Sequence, residues 1–204
     1  MKKILLIILP LFFCSQSGIC QIKSKQQNSD SHKIEKTVSN FLKWYKSREN
    51  DTAKNGTSRP SYSLTKGGYP DTTTKQVINM EGVEVYLSYL RKSGYFSESY
   101  LNDLRQYFKE IDKGMQTAPK TNTLIAVPGL NTDWILKTFE PEMVLDHIKN
   151  GRFDKVNIIY NKAIVRFRIS KVVQMLFTLT KINNKWLIDY IGYDNTYKFS
   201  LGRE

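Results

Sequence analysis

Residues 155–191, KVNIIYNKAIVRFRISKVVQMLFTLTKINNKWLIDYI, decide the fold class, because their hydrophobic period is two rather than 3.6. Val156, Ile158 and Tyr160 alternate with other residues, as do Ala163, Val165, Phe167 and Ile169. The same period runs through Val173, Met175, Phe177 and Leu179, and again through Trp186, Ile188 and Tyr190. Polar pairs at Asn161-Lys162, Ser170-Lys171 and Asn183-Asn184 interrupt these runs, which predicts a four-strand antiparallel meander with short turns. Ile164, Arg166 and Arg168 take the opposite face of their strand, so that face is expected to be at least partly solvated.

Upstream the period is helical. Ile34, Val38, Phe41, Leu42 and Tyr45 share one face, with Asp30 or Ser31 as the N-cap and Trp44 at the rim of the stripe. Val83, Tyr86, Leu87 and Leu90 form a second stripe closed by Gly94. Leu101, Leu104, Phe108, Ile111 and Met115 form a third, opened by Ser97 and left at Gly114. Glu140-Pro141 suits the start of a short fourth helix with Val144, Leu145 and Ile148 inward, ending at Asn150-Gly151. Residues 49–77 are dense in Gly, Pro, Asn, Ser and Thr and read as a long connection, pinned by Tyr62, Tyr69 and Pro70. Residues 116–133 read the same way, apart from the apolar run Leu124 to Val127. Helices followed by a sheet that they cover predict an α+β domain.

The first twenty residues have the layout of a secretory signal peptide: Lys2 and Lys3, then apolar Ile4 to Cys14, then the small polar stretch Ser15 to Cys20. The apolar part, as a helix, is roughly 16 Å long, about half of a bilayer's hydrocarbon core. Removal is therefore expected, after Cys20 or after Ser17, rather than membrane insertion. Phe13 precedes Cys14 and Ile19 precedes Cys20, which disfavours a lipoprotein, since acylation wants a small residue there. Both cysteines lie in this segment, so the exported part, in the periplasm or outside the cell, is expected to hold no disulfide, thiol nucleophile or thiolate metal site. Residues 21–31 read as a disordered polar lead, 32–193 as a single domain and 194–204 as a tail.

The net charge of +12 becomes +10 without Lys2 and Lys3. Such an excess favours polyanions, anionic membrane surfaces or an acidic protein partner. The basic residues are scattered, with no run of five or six and no nucleic-acid-binding motif, so specific nucleic-acid recognition is not expected.

The opening helix ending in FLKWY, the segment FSESYLNDLRQYF and the hairpin VQMLFTLTKINNKWLIDYI resemble exported bacterial domains of unknown function in the nuclear transport factor 2-like, or cystatin-like, superfamily. The resemblance covers roughly residues 32–193 and rests most on the last hairpin. It implies a cone: a curved sheet wrapped around a long helix, with a cavity that relatives use for catalysis, for binding or not at all. Catalytic relatives work with an acid or a histidine, sometimes helped by a tyrosine.

Against that implication stand the residues themselves. His32 and His147 are the only histidines and read as solvated. Asp189 is the one carboxylate of interest, as a base if the cone buries it, or as a partner of Lys185 or a neighbouring-strand arginine if it is exposed. No metal-ligand spacing, phosphate loop or nucleophile elbow occurs, so no metal or cofactor is expected. The reading is a non-catalytic exported module binding a protein with an acidic surface or a small ligand, with Trp44, Tyr45, Tyr62, Tyr69 and Tyr190 as candidate surface aromatics. The alternatives are an immunity-type inhibitor of a toxic enzyme, and an isomerase, dehydratase or hydrolase that uses Asp189.

Overall fold

The computed structural model describes residues 16–54, 62–68, 75–117, 129–171 and 173–193. Its first element, helix α1 (Gln16–Lys54), is 39 residues long. The expected stripe is its packed face: Ile34, Val38, Phe41, Leu42 and Tyr45 are all buried. The disordered lead over 21–31 is corrected, because that stretch is helical. It contains neither Gly nor Pro, and a helix nucleated by the packed stripe extends through Gln, Lys and Ser at one hydrogen bond per residue. Asp30 is correspondingly no cap. It is buried within the helix, and its carboxylate accepts two hydrogen bonds from Lys181 Nζ, at 3.0 and 2.9 Å. Residues 1–15 of the expected leader lie outside the described residues.

The connection expected over 49–77 is shorter than its composition suggests. Helix α1 runs to Lys54, and two-residue strands β1 (Thr65–Lys66) and β2 (Val77–Ile78) pair antiparallel. Gly67 and Gly68, with φ of 73° and 79°, supply left-handed backbone directly after β1.

Helices α2 (Met80–Ser93) and α3 (Glu98–Thr117) pack on one another. Gly94 ends α2 with φ 72°, and Ser97 Oγ accepts the Tyr100 N–H at 3.2 Å to open α3, both as the sequence predicts. Gly114 does not end α3, which continues to Thr117. A Cβ on Gly114 would touch nothing, so this glycine faces open space inside a helix rather than a turn. Helix α4 (Pro141–Leu145) carries Pro141 in its first turn and buries Val144 and Leu145, and a 3₁₀ turn (Ile148–Asn150) follows it.

The sheet is the expected meander: β3 (Arg152–Ile159), β4 (Lys162–Arg168), β5 (Gln174–Ile182) and β6 (Lys185–Tyr193), antiparallel in the order β3-β4-β5-β6. Its inner face, with Val165, Phe167, Met175, Phe177, Trp186 and Ile188 buried, belongs to the same core as the α1 stripe. Helix α1 contacts β3 and β6, the two outermost strands, so it crosses the sheet. The segment between α2 and α3 adds a short parallel edge to β6: Ile188 N–H donates to Tyr95 O at 2.8 Å, and Ser97 N–H to Ile188 O at 3.0 Å.

Two details of the meander differ from the alternating pattern. The β3–β4 turn lies one residue early, with Tyr160 in left-handed backbone (φ 55°) and 96% exposed rather than inward. In the β5–β6 ladder, Thr178 pairs with Tyr190 and Leu179 with Ile188, which leaves Asp189 as the extra residue of a β-bulge. The bulge resets the side-chain parity: Ile191 turns inward and is fully buried, whereas Tyr190 turns outward and is 42% exposed.

Candidate ligand groove

Of the aromatics singled out in the sequence, Trp44 and Tyr45 are in ring contact, with centroids 6.1 Å apart. Tyr45 is buried, which corrects its place among the surface aromatics: its ring packs at a tilt against Phe41, and its hydroxyl donates to Asp133 Oδ2 at 2.6 Å. Trp44 is half-buried among Phe41, Tyr89 and Tyr95, as a wall of the core. Tyr62 packs on Tyr86 with ring centroids 5.2 Å apart. Tyr190 stands on the outer face of the sheet beneath the ammonium of Lys137, and Tyr69 lies outside the described residues.

Asp189 is spoken for. Its carboxylate accepts hydrogen bonds from Thr180 Oγ1 and, at 3.1 Å, from Lys162 Nζ. Lys162 is the cross-strand neighbour of Thr180, so the three residues form a polar ladder across β4, β5 and β6. The sequence had Lys185 or an arginine as the partner. The bulge moves Asp189 out of simple register and toward Lys162 instead. The Asp189 side chain is 15% exposed, and both donors reach the same carboxylate oxygen.

Beneath α1 lies a buried cation. Arg48 is 6% exposed, its guanidinium carbon sits 4.1 Å from the centroid of the Tyr45 ring, and it donates to the Tyr86 oxygen. Burial opposes its charge, but the Tyr45 and Tyr86 oxygens more than offset that, so it stays protonated. Its Nε and Nη1 have no hydrogen-bond partner among the described residues. Stacking on the Tyr45 ring supplies part of what those nitrogens lack.

The space that can take a ligand is elsewhere. A groove of about 710 Å³ runs between α1, the 3₁₀ turn and the β3–β4 edge. Leu42, Ile148, Phe153 and Phe167 make its apolar floor, and Lys43, Lys46 and Lys149 stand among its lining residues. Gly151 lets the Phe167 ring close the floor: a Cβ at that position would come within 2.1 Å of the ring. Lys46 is held by Asp146 Oδ1 at 2.7 Å and by the Leu145 carbonyl at 3.2 Å, whereas Lys43 and Lys149 have no acidic partner among the described residues. This volume falls in the range of about 300–1,000 Å³ usual for small-molecule sites. Across α1 lies a second pocket, of about 350 Å³.

The scattered bases of the sequence are thus gathered by the fold. Lys36 and Lys43, seven residues apart, share the crest of α1, and that spacing was the one available sign of a basic helical face. Lys149 comes from a turn more than a hundred residues away, with no sequence signal linking it to α1.

No protein-family model, curated protein or solved structure matches this chain. Among the described residues no helix is long and apolar enough to cross a membrane, and no group of three or more His, Cys, Asp or Glu side chains is placed to hold a metal ion.

Proposed function

We propose that this chain is an exported, non-catalytic binding domain of the nuclear transport factor 2-like type, taking an amphipathic anion in the groove between α1 and the β3–β4 edge. The observation that carries the reading is the pairing of an apolar floor with the ammonium groups of Lys43 and Lys149, which have no acidic partner among the described residues. An apolar body removes floor area from water at about 25 cal/mol per Å², and a carboxylate or similar head at the rim meets the two cations. An acidic segment of a partner protein that presents an apolar side chain offers the same chemistry. Export rests on the leader pattern of residues 1–20, and the cone on the hairpin resemblance together with a long helix laid across an antiparallel meander.

The test is titration of the mature chain with a fluorescent medium-chain acyl carboxylate and with the corresponding alcohol. Saturable binding of the acid, weakened about tenfold by Lys43→Glu combined with Lys149→Glu, is the expected result. Equal binding of acid and alcohol, or no saturation by either, removes the groove from consideration.

A further inference from the structure

The pocket on the other flank of α1 joins three elements that are far apart in sequence. Lys33, Lys36, Thr37 and Asn40 come from α1, Ser93, Gly94 and Tyr95 from the α2–α3 junction, and Asn184, Lys185 and Trp186 from the β5–β6 hairpin. Three of these residues are lysines and none is an acid. Lys33 reaches Asp30 only at 4.0 Å, and that carboxylate is already held by Lys181 at 2.9 Å. Neither Lys36 nor Lys185 has an acidic partner among the described residues.

The position of Lys185 is set by the backbone beneath it. A Cβ at Gly94 would lie 2.8 Å from Lys185 Nζ, so the absent side chain leaves the ammonium seated over the αL turn that ends α2. The indole of Trp186, 2% exposed, forms part of the wall, and its Nε1–H has no acceptor among the described residues. Asn40 and Asn184 bring neutral amide donors to the same space, whereas the Thr37 hydroxyl donates to the Lys33 carbonyl at 2.9 Å.

Like charges collected in one recess, with no acid lining it, raise the energy of the empty site, and a bound anion relieves it. Ammonium groups act as point charges approaching from several directions, which suits the oxygens of a tetrahedral oxyanion. We infer that this pocket is an oxyanion site for a phosphoryl group, held by Lys33, Lys36 and Lys185. The cavity exceeds a single phosphate, so it admits the phosphoryl group together with the adjoining part of the molecule that bears it. This assignment is independent of the groove and its ligand.

The test is an NMR titration of the mature chain with inorganic phosphate at constant ionic strength, balanced by sodium chloride. The probes are the Trp186 indole N–H and the amides of Ser93 to Tyr95. Saturable shifts at these groups, weakened about fivefold or more by Lys36→Gln with Lys185→Gln and unchanged by Lys149→Gln in the groove, are the expected result. Lys36 and Lys185 are exposed, so the double variant is expected to fold. Shifts that do not saturate, that chloride reproduces, or that survive the double variant overturn the site. Glycerol phosphate and vesicles containing phosphatidate separate the two sources of the group. Co-sedimentation that the double variant abolishes assigns a lipid headgroup, and saturation by glycerol phosphate without co-sedimentation assigns a soluble phosphomonoester. Loss of acyl binding with phosphate binding intact removes the groove reading alone.

Discussion

Tyr45 and Asp133, 88 residues apart, are joined by a hydrogen bond of 2.6 Å from phenol to carboxylate. The other carboxylate oxygen, Oδ1, accepts the backbone N–H groups of Ile135, at 2.9 Å, and Leu136, at 2.5 Å. One aspartate thereby fixes the turn before α4 to the packed face of α1. Tyr45→Phe is expected to destabilise the domain by about 1–2 kcal/mol, since it leaves a half-buried oxygen short of a donor. Asp133→Ala is expected to cost more, because two backbone donors lose their acceptor as well. Urea denaturation with an unchanged m-value measures both.

Alkali tests the buried phenols. Burial, foremost, pushes Tyr45 and Tyr100 well above the ordinary phenol value of 10.0, and raises Tyr86 as well. A group whose pKa is raised by folding holds its proton in the native state after the unfolded chain has released it. Its stabilisation is complete below pH 10 and declines as pH rises above that value. These three tyrosines are expected to ionise only with unfolding, seen as a cooperative step at 295 nm coincident with loss of far-UV dichroism. Smooth ionisation of every tyrosine while the fold persists contradicts the packing described for α1.

The α2–α3 pair has an acid limb. Hydrogen bonds from Arg105 to Glu84, at 2.5 and 3.0 Å, and from Arg91 to Glu98, at 2.6 and 2.9 Å, hold both carboxyls below the ordinary 4.5. Depressed values contribute stability above pH 4.5 that is lost as pH falls below it through the folded values. Both pairs are exposed, so each is worth at most about 0.5 kcal/mol. Glu84→Gln is expected to lower the urea midpoint slightly at pH 7, with the difference from the parent protein shrinking as pH falls below 4.5.

Gly151→Ala separates packing from charge in the groove. Its new Cβ meets the Phe167 ring, which itself packs on Phe153 at a centroid distance of 4.9 Å. Displacing that ring costs about 1–3 kcal/mol and disturbs the apolar floor. Lys43→Gln, on the exposed crest of α1, is expected to weaken anion binding without moving the thermal midpoint. If Gly151→Ala leaves both stability and binding unchanged, Phe167 is not the closing wall of the groove.

The strands and core helices were legible because a packed face leaves a period in the sequence: Ile34 to Tyr45 at helical spacing, and Val165, Phe167, Met175 and Phe177 at spacing two. What the period could not report was a change of phase. The bulge at Asp189 inserts one residue into β6, and a rule of strict alternation then places Tyr190 and Ile191 on the wrong faces. Nor could it report the N-terminal run of α1, where polar residues carry no period and helicity is inherited from the packed turns that follow.

The sequence by itself determined the α+β class, the order of the elements and the ends set by Gly94 and Ser97, because hydrophobic spacing and capping are local properties of the chain. The tertiary structure alone decided what the charges do. Lys43 meets Lys149 over one apolar floor, Lys36 meets Lys185 around another recess, and Asp189 is given to Lys162. Coulombic neighbours are chosen by distance through space, which helix crossing and strand register set, and no spacing along the chain encodes it.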